Sequence, residues 1–284
     1  MKYLDRILRS IDYLPPFPVA VARALTLMKD SDVTIDAIAD VIKHDQSTAS
    51  NLLRLCNSSY VGLRRPISNV RDAVVFVGMN HLRRILIITG THPYFQSYKP
   101  GYESRTGELW SHSLAVSLLS SRIERLIPGA DSDYVFIASL LHDIGKLVLS
   151  EFVTEEYEQI RQMIESEHIT FLEAERRVIG TDHADIGSRI LTLWRFPEEI
   201  VEAVGAHHEP VKPDDPSLTD IVKLSDIMAI TMGYGTAVDG LAYNGFAEIC
   251  RRHGISQGML DSLSEASIEE LTRVESEFGF SGKE

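Results

Sequence analysis

Cysteine is nearly absent. The 284 residues hold two, Cys56 and Cys250, far apart and in no CxxC pair. That excludes a disulfide scaffold and a thiolate zinc cage, and it suits a reducing compartment. Long apolar runs are missing too. A membrane-spanning helix needs about 20 apolar residues, and the best stretch, residues 73–90, is broken by Asn80, His81, Arg83 and Arg84. The N-terminus meets Lys2, Asp5 and Arg6 before an apolar run can form, so no secretory signal is expected. No period-two alternation, internal repeat or low-complexity tract is visible. Hydrophobic residues at 44% and charged residues at 24% instead describe an ordinary globular chain, one large domain or two modest ones. The expectation is a soluble cytoplasmic protein without a membrane partner.

The net charge of −13 is unevenly spread. Residues 1–90 carry 12 Lys and Arg against 8 Asp and Glu, a net of +4, whereas residues 91–284 carry 16 against 33, a net of −17. The acidic majority repels polyphosphate. Arg64, Arg65, Arg71, Arg83 and Arg84 cluster in the basic third, where a solvated face is the plainer reading. The helix pair 34–42 and 45–57 could pass for a helix-turn-helix, but its second helix offers only Arg54 as a basic residue. A recognition helix presents several polar or basic side chains, so nucleic acid is not an expected partner.

Helical signals run through the chain. Leu14-Pro15-Pro16-Phe17-Pro18 excludes helix interior. Thr34 and Asp45 (or Ser47) cap two early helices, and Ser68 or Asn69 opens a third that Gly78 ends. A buried helix is predicted over 81–88 and a connection over about 91–105, where Pro93, Pro100 and Gly101 fall. Further helices are predicted over 106–126, 133–141, 155–167, 170–179, 184–195, from Pro197, and from Pro216 to about 232. Ser256 and Ser267 would cap two short final ones. The fold class is all-α, a helical bundle with an N-terminal helical subdomain (1–100) and a helical domain (101–284).

The histidines carry the chemistry. They stand as His112, His142-Asp143, His183 and His207-His208, with Asp226 on an otherwise apolar helix. Each alone has an ordinary structural explanation. Together they offer imidazole and carboxylate groups from several helices. Neighbouring helical residues point about 100° apart, so a His-Asp pair can serve one cation with the imidazole and reach another with the carboxylate. Gly145, lacking a Cβ, admits close approach, and Lys146 supplies positive charge for an anionic ligand.

The order His112, His142-Asp143, Asp226 resembles the HD superfamily of metal-dependent phosphohydrolases. His142-Asp143-Ile144-Gly145-Lys146, His183-Ala184-Asp185-Ile186-Gly187 and His207-His208-Glu209 are similar to the HD-GYP branch. Leu14-Pro15-Pro16-Phe17-Pro18, Leu52-Leu53-Arg54-Leu55-Cys56-Asn57-Ser58 and Ala73-Val74-Val75-Phe76-Val77-Gly78 resemble the HDOD family, the HD-related output domains. The HDOD likeness spans residues 7–215 and the HD pattern 105–232. Many HDOD proteins are thought to have lost the metal ligands, yet here the set is whole. After Glu209, where the HD-GYP pattern continues Asp-Gly-x-Gly-Tyr-Pro, the chain reads Pro210-Val211-Lys212-Pro213-Asp214-Asp215-Pro216.

The resemblance implies an HD-type bundle with two transition metals. His112, His142, Asp143 and Asp226 would hold one, and His183, His207 and His208 the other, with Asp143 bridging. Glu108, one turn before His112, is either a third-metal ligand or a first-turn acid that favours the helix dipole. Imidazole and carboxylate donors suit iron, manganese or zinc, and the resemblance implies iron first, then manganese or zinc, divalent or mixed-valent. Two functional classes follow. One is a signal-transduction output module whose metal site is regulatory or ligand-binding, with a signalling protein partner. The other is a phosphohydrolase or phosphodiesterase acting on a nucleotide or another phosphate-bearing small molecule, with Asp143 and Lys146 in catalytic roles.

Overall fold

In the computed structural model, residues 2–11, 14–30, 32–57, 66–96, 107–152, 156–212, 217–235 and 245–278 are described, and among them every regular element is a helix. In chain order these are α1 (Lys2–Ile11), α2 (Val19–Leu27), α3 (Ile35–Lys43), α4 (Gln46–Cys56), α5 (Val70–Gln96), α6 (Glu108–Ile123), α7 (Ser132–Leu141), α8 (Gly145–Phe152), α9 (Glu156–Glu167), α10 (Phe171–Ile179), α11 (His183–Leu193), α12 (Glu198–Ala206), α13 (Ser217–Thr231), α14 (Phe246–His253) and α15 (Gln257–Phe278). They fall into two units. Of the described residues, those within 15–96 and 273–278 form one, and those within 2–14 and 107–272 form the other.

In the unit of α2–α5, the residues of the N-terminal resemblance act as fasteners. Phe17 is buried against Gly90 of α5, where a Cβ would lie 3.1 Å from the Phe17 ring. The Tyr94 hydroxyl donates to the Pro16 carbonyl at 2.8 Å. Asn57, just past α4, accepts from the Ile67 N–H at 2.7 Å and donates to its carbonyl at 2.8 Å, which fixes the return of the chain toward α5. Asn69, not Ser68, caps α5 by accepting from Asp72 N–H. Gly78 (φ 72°) breaks α5 as expected, since a Cβ disfavours that conformation. Beyond the break the helix continues through Pro93 to Gln96, so the predicted connection starts later than its prolines suggested. Residues 70–95 are long and apolar enough to cross a membrane by length and composition, and half of that apolar window is buried within the protein. Arg71 pairs with Asp36 and Arg83 donates to the Met28 carbonyl. Arg64 and Arg65 lie outside the described residues.

In the other unit, α6 is buried on nearly every side between α7 and α13. A helix this apolar all round belongs in a core. Small Ser113, Ser117 and Ser120 keep it slim. Helix α12 packs on α7, α11 and α13. Predicted caps hold: Thr170 accepts from Glu173 N–H, and Gly180 ends α10 in the left-handed region. Asp131 and Asp182 cap α7 and α11. Pro197 stands one residue before α12 rather than in its first turn. Ser267 starts no helix. Its hydroxyl donates to the Leu263 carbonyl inside α15, which runs unbroken past it. Helix α14 is tied to α13 through buried Asp220, which accepts from Arg252 and His253, each at 2.8 Å.

The tightest packing is between α8 and α11. A Cβ on Gly145 would sit 1.9 Å from the His183 carbonyl oxygen and 2.7 Å from the Gly187 nitrogen. Backbone thus meets backbone, and Asp143 and His183 are brought together from the two ends of that contact. Gly145→Ala is expected to cost about 3 kcal/mol in urea unfolding, the upper end of overpacking effects. Gly258→Ala, in open space on α15, should gain about 0.5–1 kcal/mol. Equal effects at the two positions would contradict the backbone collision.

Candidate metal centre

Helix ends and two buried helix interiors deliver the predicted residues to one place. His142 is the C-cap of α7 and Asp143 follows in the turn to α8. His183 is the first residue of α11, behind the Asp182 cap. His207 and His208 follow α12. His112 lies on α6 and Asp226 on α13, both buried. His208 is the least buried of the seven, its ring 4.0 Å from that of His207 and 4.9 Å from that of His183.

Four imidazoles are oriented through Nδ1. That of His112 donates to the Tyr234 carbonyl, of His142 to Ser139 O at 2.8 Å, and of His207 to Val204 O at 2.6 Å. That of His183 donates to the Glu175 carboxylate at 2.6 Å. A carbonyl or carboxylate can only accept, so the ring proton sits on Nδ1 in the neutral tautomer and Nε2 presents a lone pair. All four Nε2 atoms face inward. His112 Nε2 is 3.1 Å from His142 Nε2 and 3.1 Å from Asp226 Oδ1. Asp143 divides its oxygens. Oδ2 lies 3.5 Å from His112 Nε2 and 3.4 Å from His142 Nε2, while Oδ1 lies 3.4 Å from His183 Nε2 and 3.8 Å from His207 Nε2.

Two groups of ligand-type atoms thus converge, Asp143 with His183, His207 and His208, and His112 with His142 and Asp143. Within them Asp143 Oδ1, His183 Nε2 and His207 Nε2 are buried and have no hydrogen-bond partner, and neither has Asp226 Oδ1 beside His112. Acceptors facing acceptors in a buried site repel, and only a positive species between them relieves that. Glu108 opens α6 partly buried and is not among the converging groups. Neither cysteine belongs to them. Burial pushes the Cys56 thiol up to about 11.

Electrostatics sort the charges. Burial opposes ionisation of Asp143, but Lys146 and then His142 outweigh it and hold the carboxyl well below the usual range. Burial opposes Asp226 likewise, and His112 and His142 hold it low. Burial, reinforced by neighbouring imidazoles, keeps His207 and His208 neutral, the form that ligates. His112 is pushed up to about 9, because Asp226 and Asp143 overcome its burial, so without a cation its Nε2 also carries a proton, aimed at Asp226, that a metal would displace. Lys146 is fully buried, 2.8 Å from Asp143 Oδ2 and 5.7 Å from the Phe171 ring centre. Its charge is therefore directed at Asp143.

Two contributors, Tyr234 and Glu175, escape a reading of the sequence, and Gly187, visible there only as part of the His183 motif, gains a packing role. Tyr234 acts through its backbone, which carries no residue signature. Gly187 mirrors Gly145, with Gly145 N 3.4 Å from where its Cβ would be. Glu175 does leave a signal. It stands four residues after Phe171 and four before Ile179, on the buried stripe of α10, where an unpartnered acid is costly.

An all-α bundle with a buried His/Asp cluster at its helix ends is the class that fold and site define. The HDOD domain family matches residues 14–210, and the chain belongs to that family. An HDOD domain protein of unknown function from Geobacter sulfurreducens is 27% identical, with a TM-score of 0.77 over 98% of both chains. A presumed phosphohydrolase from Shewanella amazonensis shares the fold at 21% identity, with a TM-score of 0.73 over 96% of this chain and 98% of that one. A curated but uncharacterised protein from Treponema pallidum is 24% identical over 220 residues, 75% of this chain, which spans 41% of that relative's length.

Lys146→Met should destabilise the chelator-treated protein by roughly 3–5 kcal/mol in urea unfolding, since it strips a buried carboxylate of its cation. Adding Asp143→Asn should recover part of that loss. A loss under about 1 kcal/mol would contradict the pairing.

Proposed function

We propose that this HDOD protein holds a pair of transition-metal ions in the cluster and works as a signal-transduction output module, its metal site binding a phosphate-bearing small molecule and informing a protein partner. The observation that carries the metal reading is the set of buried, unpartnered acceptor atoms aimed at one another. His112, His142 and Asp226 would hold one ion, His183, His207 and His208 the other, and Asp143 would serve both through its separate oxygens. The donor set, imidazole and carboxylate without thiolate, suits iron, manganese or zinc, and the resemblance to the HD superfamily puts iron first.

A second reading is hydrolysis of a nucleotide or related phosphoester. It is favoured by the completeness of the ligand set and by the description of the Shewanella relative. The bound ions would then supply Lewis-acid polarisation of a phosphoryl oxygen and a water acidic enough to ionise near neutral pH. The chain's own share is separable from that. Asp143 is kept ionised by Lys146, His207 and His208 are kept neutral by burial, and the Nδ1 partners lock each ring toward the centre. Lys146 is buried against Asp143, and its charge goes to keeping that carboxylate ionised. The Pro210–Lys212 stretch supplies no Gly-Tyr-Pro loop, which favours the output module over cyclic-dinucleotide hydrolysis.

Elemental analysis of protein purified without chelator tests the reading. About two equivalents of metal per chain are expected, with both lost in Asp143→Ala and one lost in Asp226→Asn. Protein that stays metal-free in the presence of iron, manganese and zinc would overturn it. Loaded protein then goes against a panel of nucleotide phosphoesters. Turnover that Asp143→Ala abolishes selects the hydrolase, and its absence across the panel selects the output module.

A further inference from the structure

The two halves of the cluster are unequally supplied with negative charge. Beside shared Asp143, the half of His112 and His142 has its own carboxylate, Asp226, with Oδ1 3.1 Å from His112 Nε2 and 3.7 Å from His142 Nε2. On the half of His183, His207 and His208, the carboxylate facing His183 Nε2 and His207 Nε2 is the shared Asp143, and a further carboxylate stands one residue out. Glu175 is fully buried, and its Oε2 accepts both the Nδ1–H of His183 at 2.6 Å and the backbone N–H of His183 at 3.1 Å. The other three oriented imidazoles lean on neutral backbone carbonyls. Only His183 among them leans on a charge.

We propose that Glu175 is the charge-balancing positioning residue of the His183 half, doing through the His183 ring what Asp226 does directly for the other half. A carboxylate on Nδ1–H raises the basicity of Nε2 and fixes the ring. The paired contact to the backbone N–H also locks the first residue of α11, so ring and helix start move together. The neighbouring residue works from outside. Arg176 binds Asp182, the α11 cap, at 2.6 Å and Glu209, next to His208, at 2.5 Å. The last turn of α10 therefore grips this half from two sides, with Glu175 on its ligand and Arg176 on the flanks. The inference rests on the two-metal reading above.

Calorimetric titration of the chelated full chain with Co(II) tests it, with melting of the cobalt-free protein followed alongside. Wild type should show two binding steps. Glu175→Gln keeps an acceptor at nearly the same place but removes the charge. It should weaken one step by roughly 10–100-fold, leave the other unchanged, and leave the cobalt-free melting temperature close to wild type. In the Asp226→Asn background, where the His183 half alone remains, Glu175→Gln should weaken the single remaining step by the same factor. Glu175→Asp, which keeps the charge at shorter reach, should lose less than Glu175→Gln and serves if the latter does not fold. Unchanged steps in Glu175→Gln, a parallel fall of both steps with a lowered melting temperature, or a larger loss in Glu175→Asp would each overturn the charge assignment while wild type still binds two ions. Wild type that binds no cobalt overturns the parent reading and this one with it.

Discussion

Four imidazole Nε2 atoms and two carboxylates point at one another inside a helical bundle, and the rest of the unit is arranged to hold them there. Each ring could relieve the repulsion by turning its N–H inward. It is prevented because Nδ1 is already committed, to Tyr234, Ser139 and Val204 carbonyls and to Glu175. Three of those partners belong to helical backbone or to the turn beyond a helix, so reorienting a ring means giving up a bond to backbone that secondary structure holds in place. The unfavourable convergence is thus fixed by secondary structure, and a cation at its centre turns it from a burden into a binding site.

Packing supplies the second constraint. Asp143 and His183 come from segments forty residues apart in sequence, and they meet because α8 and α11 touch backbone to backbone at Gly145 and Gly187. Any side chain there would separate the carboxylate that serves both halves from the imidazole of one. The Ile-Gly pairs at 144–145 and 186–187 read as parts of two histidine motifs. Physically they are the two faces of one contact. Ile144 and Ile186 are both buried beside it.

Much of this is legible in the amino-acid sequence. Helix caps at Thr34, Asp45 and Thr170, the stop at Gly180 and the break at Gly78 follow from local chemistry, and local chemistry decides them. The seven candidate ligands follow from residue type and order, and all seven lie in or beside the cluster. What escapes depends on tertiary context. The helix past Pro93 survives because packing against Phe17 and the Tyr94 contact with Pro16 hold it. Ser267 looks like a cap and is a buried helix-interior hydroxyl bonded to the preceding turn. The eight-residue α8 and α14 carry few turns for periodicity to declare them, whereas the ten-residue α1 does carry a helical stripe in Leu4, Ile7 and Ile11. Tyr234 contributes only a carbonyl. Glu175 alone is recoverable, as a charge on an apolar stripe.

The division of labour between the units is written in residue type. The fasteners of α2–α5 are prolines, an asparagine and a glycine, groups that shape backbone. The chemistry of the other unit is imidazole and carboxylate held by helix ends. Anomalous diffraction from crystals of the iron-loaded protein, recorded at the iron edge, tests the convergence most directly. Two peaks on the Nε2 side of His112, His142, His183 and His207, flanking Asp143, are the expected result. No peak there, or metal bound through Nδ1 with the carbonyl contacts broken, would contradict it.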